Sequence, residues 1–162
     1  MFFRIKKIKG KEYAYIVENE WRAKSSRQRV KGYVGRAYQF DLKNDIGFLQ
    51  FMKIDGLESY INSSEKQKVI TDLVEWELFK FGISRQEFSI DLSNISIQKN
   101  GKNAVFLINE GFMCGITLKS LFEFKAAGDE KADAHLLART LVESGIKVPQ
   151  EVFIGIYETL KN

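Results

Sequence analysis

The chain has 162 residues, 44% of them hydrophobic and 13% aromatic, which is enough apolar material for one ordinary domain and argues against disorder. Its single Cys, Cys114, excludes an internal disulfide and a multi-cysteine zinc site. The net charge of +4 is unevenly spread: Met1–Arg36 holds eleven Lys or Arg against three Glu, and the remaining 126 residues hold 14 Lys or Arg against 18 Asp or Glu. A basic arm on a mildly acidic body points to an anionic partner, with nucleic acid the first choice.

The first segment reads as strands. Phe3–Ile8 alternates imperfectly, Lys9-Gly10-Lys11 is a turn signal, and Glu12–Trp21 is rich in Tyr, Ile and Val. The polar stretch Ala23–Ser26 marks a second turn before a third strand, Arg27–Tyr38. Strands joined by short polar turns predict an antiparallel meander. Strict period-2 alternation places Arg27, Arg29, Lys31 and Tyr33 on one face of the third strand, with Val30, Gly32 and Val34 on the other. So small a sheet is marginal alone in water, so the meander is expected to lean on the rest of the chain.

Gln39–Asn62 fits neither period and reads as a connection with short helical turns, including Leu57–Ile61. A helix follows, with Ser64 as N-cap and Gln67 completing a capping box. Its apolar face runs from Val69 to Phe79, and Gly82 ends it. Alternation at Phe88, Ile90 and Leu92, and again at Ile95 and Ile97, leads into Lys99-Asn100-Gly101-Lys102, the strongest hairpin signal in the chain. Ala104–Ile108 is the returning strand, Glu110–Gly115 a loop or bulged continuation, and Thr117–Phe124 a short helix. Asp129 is placed to N-cap a helix that ends at Gly145, and Pro149 opens a last helix that buries Val152, Phe153, Ile156, Tyr157 and Leu160. The expectation is therefore an α+β protein: a small basic antiparallel β-meander over 1–38, and a helical α+β body with one β-hairpin over 39–162. Lys6, Lys7, Lys9 and Lys11 interrupt any leader-like apolar run near the start, and Ala104–Ile108 is far short of the roughly 20 residues that span a bilayer. A soluble, cytoplasmic chain with no membrane partner is expected.

No motif carries chemistry. Cys114 lies between glycines, and His135 is the one histidine that could serve it as a base, from a distant part of the chain. Asp41, Asp45, Asp55 and Glu58 have no spacing that forces them together around a metal. Gly32-x-x-Gly35 lacks the glycine spacing and the Lys-Ser/Thr end of a phosphate loop. A non-enzymatic protein with no cofactor and no metal is expected.

The basic arm supplies the functional expectation. Lys9, Lys11, Arg27, Arg29, Lys31 and Arg36 are assigned to phosphates, with Tyr13, Tyr15 and Tyr33 stacking on bases or bonding to phosphate oxygens, and Arg4 and Lys6 flanking them. The alternative is a protein-interaction or dimerisation module that uses the terminal helices, with the arm acting only as a solvated tether.

The stretch Lys6-Lys7-Ile8-Lys9-Gly10-Lys11-Glu12-Tyr13-Ala14-Tyr15-Ile16-Val17-Glu18, followed by Arg27-Gln28-Arg29-Val30-Lys31-Gly32-Tyr33-Val34-Gly35-Arg36, resembles the N-terminal module of some DDE-type insertion-sequence transposases. It also resembles the start of small uncharacterised archaeal proteins that lack a transposase core. The resemblance implies a strand module that helps hold DNA rather than RNA, with Lys9, Lys11, Arg27, Arg29 and Lys31 on the nucleic acid. A transposase also needs a ribonuclease-H-like domain with three separated carboxylates. The residues after position 40 leave little room for one, so transposase activity is not expected.

Overall fold

A computed structural model describes residues 1–162. The predicted meander forms from β1 (Phe2–Ile8), β2 (Lys11–Arg22) and β3 (Ser25–Gln39), paired antiparallel in that order. Lys9 and Gly10 join the first two with φ of 49° and 78°, the left-handed pair that suits a two-residue hairpin to the twist of its strands. The rest of the chain, in order, is α1 (Phe48–Met52), α2 (Leu57–Asn62), α3 (Lys66–Lys80), β4 (Ser89–Asp91), β5 (Ser96–Lys99), β6 (Lys102–Ile108), β7 (Gly111–Met113), α4 (Gly115–Phe122), α5 (Glu130–Glu143) and α6 (Gln150–Leu160).

The architecture is α+β, but the body does not hold a simple hairpin beside a separate meander. All seven strands form one mixed sheet in the order β1-β2-β3-β6-β5-β4, with β7 also paired to β6. The joint is parallel: Arg36, Ala37, Tyr38 and Gln39 of β3 pair with Ala104, Val105, Phe106 and Leu107 of β6. Parallel neighbours require a long crossover, here everything between β3 and β6, and no local pattern announces such a pairing. The solid apolar run of β6 is its one trace in the sequence, because a strand covered on both faces has no polar side.

Alternation along β6 divides the interior. Ala104, Phe106 and Ile108 face the large core beneath α3, α4, α5 and α6. Val105 and Leu107 face a smaller one with Ala14, Val34 and Cys114, bordered by Phe3, Ile5, Ile16 and Phe112. Phe3 of β1 stacks on Phe112 of β7, ring centroids 4.8 Å apart and planes within 16°. These strands lie four places apart along β1-β2-β3-β6-β7, which in a flat sheet is about 19 Å at ~4.8 Å per strand. The sheet therefore curls around its small core, leaving the opposite face of the meander convex.

Helix boundaries follow local chemistry, with one correction. Asp129 caps α5 by accepting from the Ala132 N–H at 3.1 Å, and Pro149 precedes α6. Ser64 is not the cap of α3: Glu65 occupies that position without a side-chain bond, and the Ser64 hydroxyl is buried without a partner. The irregular segment before α1 is held by Trp76, whose indole N–H donates to the Ile46 carbonyl at 2.8 Å. Helix α6 packs on α2 and α3, so Val152, Ile156, Tyr157 and Leu160 are buried within the chain itself. Gly155 permits the close crossing, since a Cβ there would lie 2.2 Å from a Leu57 methyl.

Candidate nucleic-acid interface

The register of the meander decides which side chains meet. Directly paired residues share a face, and alternate residues along a strand switch faces. On β2 the odd positions Lys11, Tyr13 and Tyr15 lie on the convex face, opposite Ile8, Lys6 and Arg4 of β1. The even positions Glu12, Glu18 and Glu20 lie on the other face, with the buried Ala14. All three acids of the first 36 residues therefore project away from the tyrosines.

Two β-bulges control β3. The register advances one residue on β2 but two on β3 at Ala14/Tyr15 and again at Ile16/Val17, so Val34 and Lys31 are the extra residues. Each extra residue reverses the alternation beyond it. The first bulge brings Tyr33 opposite Tyr15 and keeps Arg36 opposite Tyr13, so both join the convex face. The second sends Arg29 opposite Glu18 and Arg27 opposite Glu20. The expected row of Arg27, Arg29, Lys31 and Tyr33 does not exist, because strict alternation fails at these two points. Arg29 Nη1 instead lies 2.9 Å from Glu20 Oε1, and Lys31 Nζ 2.6 Å from Glu18 Oε2.

The convex face carries a compact aromatic group. The Tyr33 ring lies 5.4 Å from Tyr15 and 6.3 Å from Tyr13, tilted 59° and 48° to them. Tyr33 is 58% exposed, whereas Tyr13 and Tyr15 are half-buried. Partial burial, reinforced by the neighbouring tyrosine hydroxyls, holds the Tyr33 phenol above its ordinary pKa, so it stays a neutral donor through the physiological range. Lys6 Nζ stands 4.7 Å over the Tyr15 ring, and the Arg36 guanidinium 5.0 Å from the Tyr38 ring. Arg4 Nη1 donates to Gln28 Oε1 at 2.7 Å, a neutral partner that positions the guanidinium and leaves its charge intact. None of Arg4, Lys6, Lys9, Lys11 and Arg36 forms an ion pair. Lys9 sits in the β1–β2 turn and Lys11 opens β2, both exposed at the same end as Arg36.

The structure thus gathers Lys11, Tyr13, Tyr15, Tyr33 and Arg36 with Arg4 and Lys6, and separates Arg27, Arg29 and Lys31 from them. Arg4 and Lys6 are central rather than flanking. Their own i, i+2 spacing on β1 was the available signal. Beyond the end of β1, the pairs from Glu18 with Arg29 to Arg22 with Ser25 form a two-stranded ribbon with Trp21 near its tip.

Elsewhere, Cys114 is buried and lies at the N-cap of α4, its N–H donating to the Thr117 hydroxyl at 3.2 Å. His135 is on the exposed side of α5, and Asp41, Asp45, Asp55 and Glu58 are all exposed. No helix is long and apolar enough to cross a membrane. No protein-family model, curated protein or solved structure matches the chain.

Proposed function

We propose that this is a non-enzymatic nucleic-acid-binding protein, with DNA favoured over RNA, that holds its ligand on the convex face of the meander. The observation that carries the reading is the segregation of charge within the meander: unpaired Arg4, Lys6, Lys11 and Arg36 surround three tyrosines, Glu12, Glu18 and Glu20 lie on the opposite face, and Glu87 of the body, near the Arg36 end, is already paired with Lys99. Cations with no internal partner keep their affinity for phosphate, and each phosphate neutralised releases counterions. Tyrosine adds ring faces for bases and hydroxyl donors for phosphate oxygens. Such contacts fix orientation more than sequence, so selectivity among sequences is weak.

A salt series of DNA binding measured by fluorescence anisotropy tests this. Affinity is expected to fall linearly on a log–log plot, with a slope of about −0.7 to −0.9 per phosphate contacted. Reversing Arg4, Lys6 and Arg36 to Glu is expected to weaken binding by more than about tenfold. Reversing Arg29 and Lys31, already neutralised by Glu20 and Glu18, has a smaller effect. A flat salt response, or full binding by a folded R4E/K6E/R36E variant, refutes the proposal.

A further inference from the structure

We infer that the ligand of this face is single-stranded nucleic acid, laid along β2 with bases stacked on Tyr33 and its neighbours and with Trp21 closing the far end of the track. This rests on the nucleic-acid reading above and names the form of the ligand. Base π-faces are hidden within a duplex and available only in an unpaired strand. A surface meant for duplex phosphates needs cations and no aromatic centre. Here the aromatic group is the centre, with Lys6 above Tyr15, Arg4 opposite Tyr15 on β1 and Arg36 opposite Tyr13 on β3. The ribbon beyond β1 is a two-stranded element of the kind a duplex groove admits, but its Arg29 and Lys31 are paired with Glu20 and Glu18, which leaves it Lys24 and Arg27 as cations outside any ion pair and no aromatic cluster.

Trp21 is a second, independent observation. It is 83% exposed, so folding makes no use of its ring, and its odd position on β2 gives it the same facing as Tyr13 and Tyr15. Eight residues separate it from Tyr13, about 27 Å of strand at ~3.4 Å per residue. The surface between them carries Tyr15, Tyr33, Arg4, Asn19 and Gln28, with the buried Val17 between Phe2 and Val30 at its middle, and no acid from the meander. Stacking platforms spaced along a cationic strand are what sequence-tolerant binding of a flexible single strand requires.

The test uses the full chain with three labelled probes of equal length at one salt concentration: oligo(dT) of about 16 nucleotides, oligo(U), and a mixed-sequence DNA duplex. The single strands are expected to bind at least about tenfold tighter than the duplex, and Tyr33→Ala to weaken them roughly 5- to 100-fold. Tyr33→Phe, which keeps the ring, retains most of the affinity. Oligo(dT), but not the duplex, is expected to quench the emission of exposed Trp21, with buried Trp76 as a constant background. The two single-stranded arms distinguish DNA from RNA. Duplex binding as tight as single-strand binding, or a folded Y33A variant with undiminished affinity, overturns the single-strand inference and leaves the broader reading standing. Failure to bind any of the three probes at low salt overturns both.

Discussion

Glu77 shows how one residue can tie distant parts of the chain together. It is completely buried in α3, a position a carboxylate occupies only with partners. Oε2 lies 3.1 Å from Lys80 Nζ and accepts from Asn109 Nδ2 at 2.7 Å, while Oε1 accepts from the Lys147 N–H at 2.9 Å. Lys80 in turn stands 3.9 Å over the Trp76 ring. The network fixes the β6–β7 turn, where Asn109 and Glu110 take φ of 48° and 63° although neither is glycine. Glu77→Ala removes the acceptors and leaves Lys80 unpaired, so urea unfolding is expected to show a loss of about 3–5 kcal/mol. Burial is the main influence on the Glu77 carboxyl and pushes its pKa up, against the lowering effect of Lys80. A carboxyl that holds its proton more tightly when folded contributes most below its unfolded pKa of about 4.3, and less as pH rises through the raised folded value. The stability gap between wild type and E77A should therefore be widest in acid and narrow toward neutrality; a gap that widens with pH contradicts the assignment. Nothing local in the sequence marked Glu77, because the turn and loop that cover it arrive from more than 30 residues away.

At the scale of elements, β3 is where sequence reasoning held and where it failed. Its existence and approximate limits were legible, and so were those of β2, which carries no inserted residue from Lys11 to Arg22. The bulges at Val34 and Lys31 were not, since a bulge changes pairing without changing composition. Gly35 shows the constraint at work. A Cβ there would lie 2.6 Å from the Asn103 carbonyl oxygen on β6, whereas one at Gly32 meets nothing within 4 Å. Gly35→Ala forces the parallel strands apart and is expected to cost about 1–3 kcal/mol, as overpacking does. Gly32→Ala is expected to be neutral or to stabilise by up to about 1 kcal/mol, by limiting the unfolded chain. Thermal melts of the two variants provide the check, and equal melting temperatures would refute the close approach.

At the scale of the molecule, the meander and the helical body share one sheet through the β3–β6 pairing, and the curl brings Phe3 onto Phe112. An interface running through a continuous sheet is expected to make unfolding cooperative across the boundary near residue 38. In a Trp21→Phe variant, Trp76 alone reports on the body, while far-UV circular dichroism reports on the whole chain. Coincident urea transitions are expected from the two probes; an earlier transition by circular dichroism would mean that the meander melts as an independent unit.

The sequence by itself determined the basic arm, the three-strand meander with its Lys9-Gly10 turn, the hairpin at Asn100-Gly101, and the long helices with Asp129 and Pro149 at their starts. Each depends on neighbours a few residues apart, in charge, period or turn chemistry, and such signals are written locally. Tertiary structure alone decided that β3 runs beside β6, that two bulges bring Arg36 to the tyrosines and turn Arg29 and Lys31 toward Glu20 and Glu18, and that Glu77 lies under a distant turn. Those outcomes depend on long-range register and on the curl of the sheet. A shift of one residue in register moves a side chain to the opposite face and leaves the local pattern unchanged.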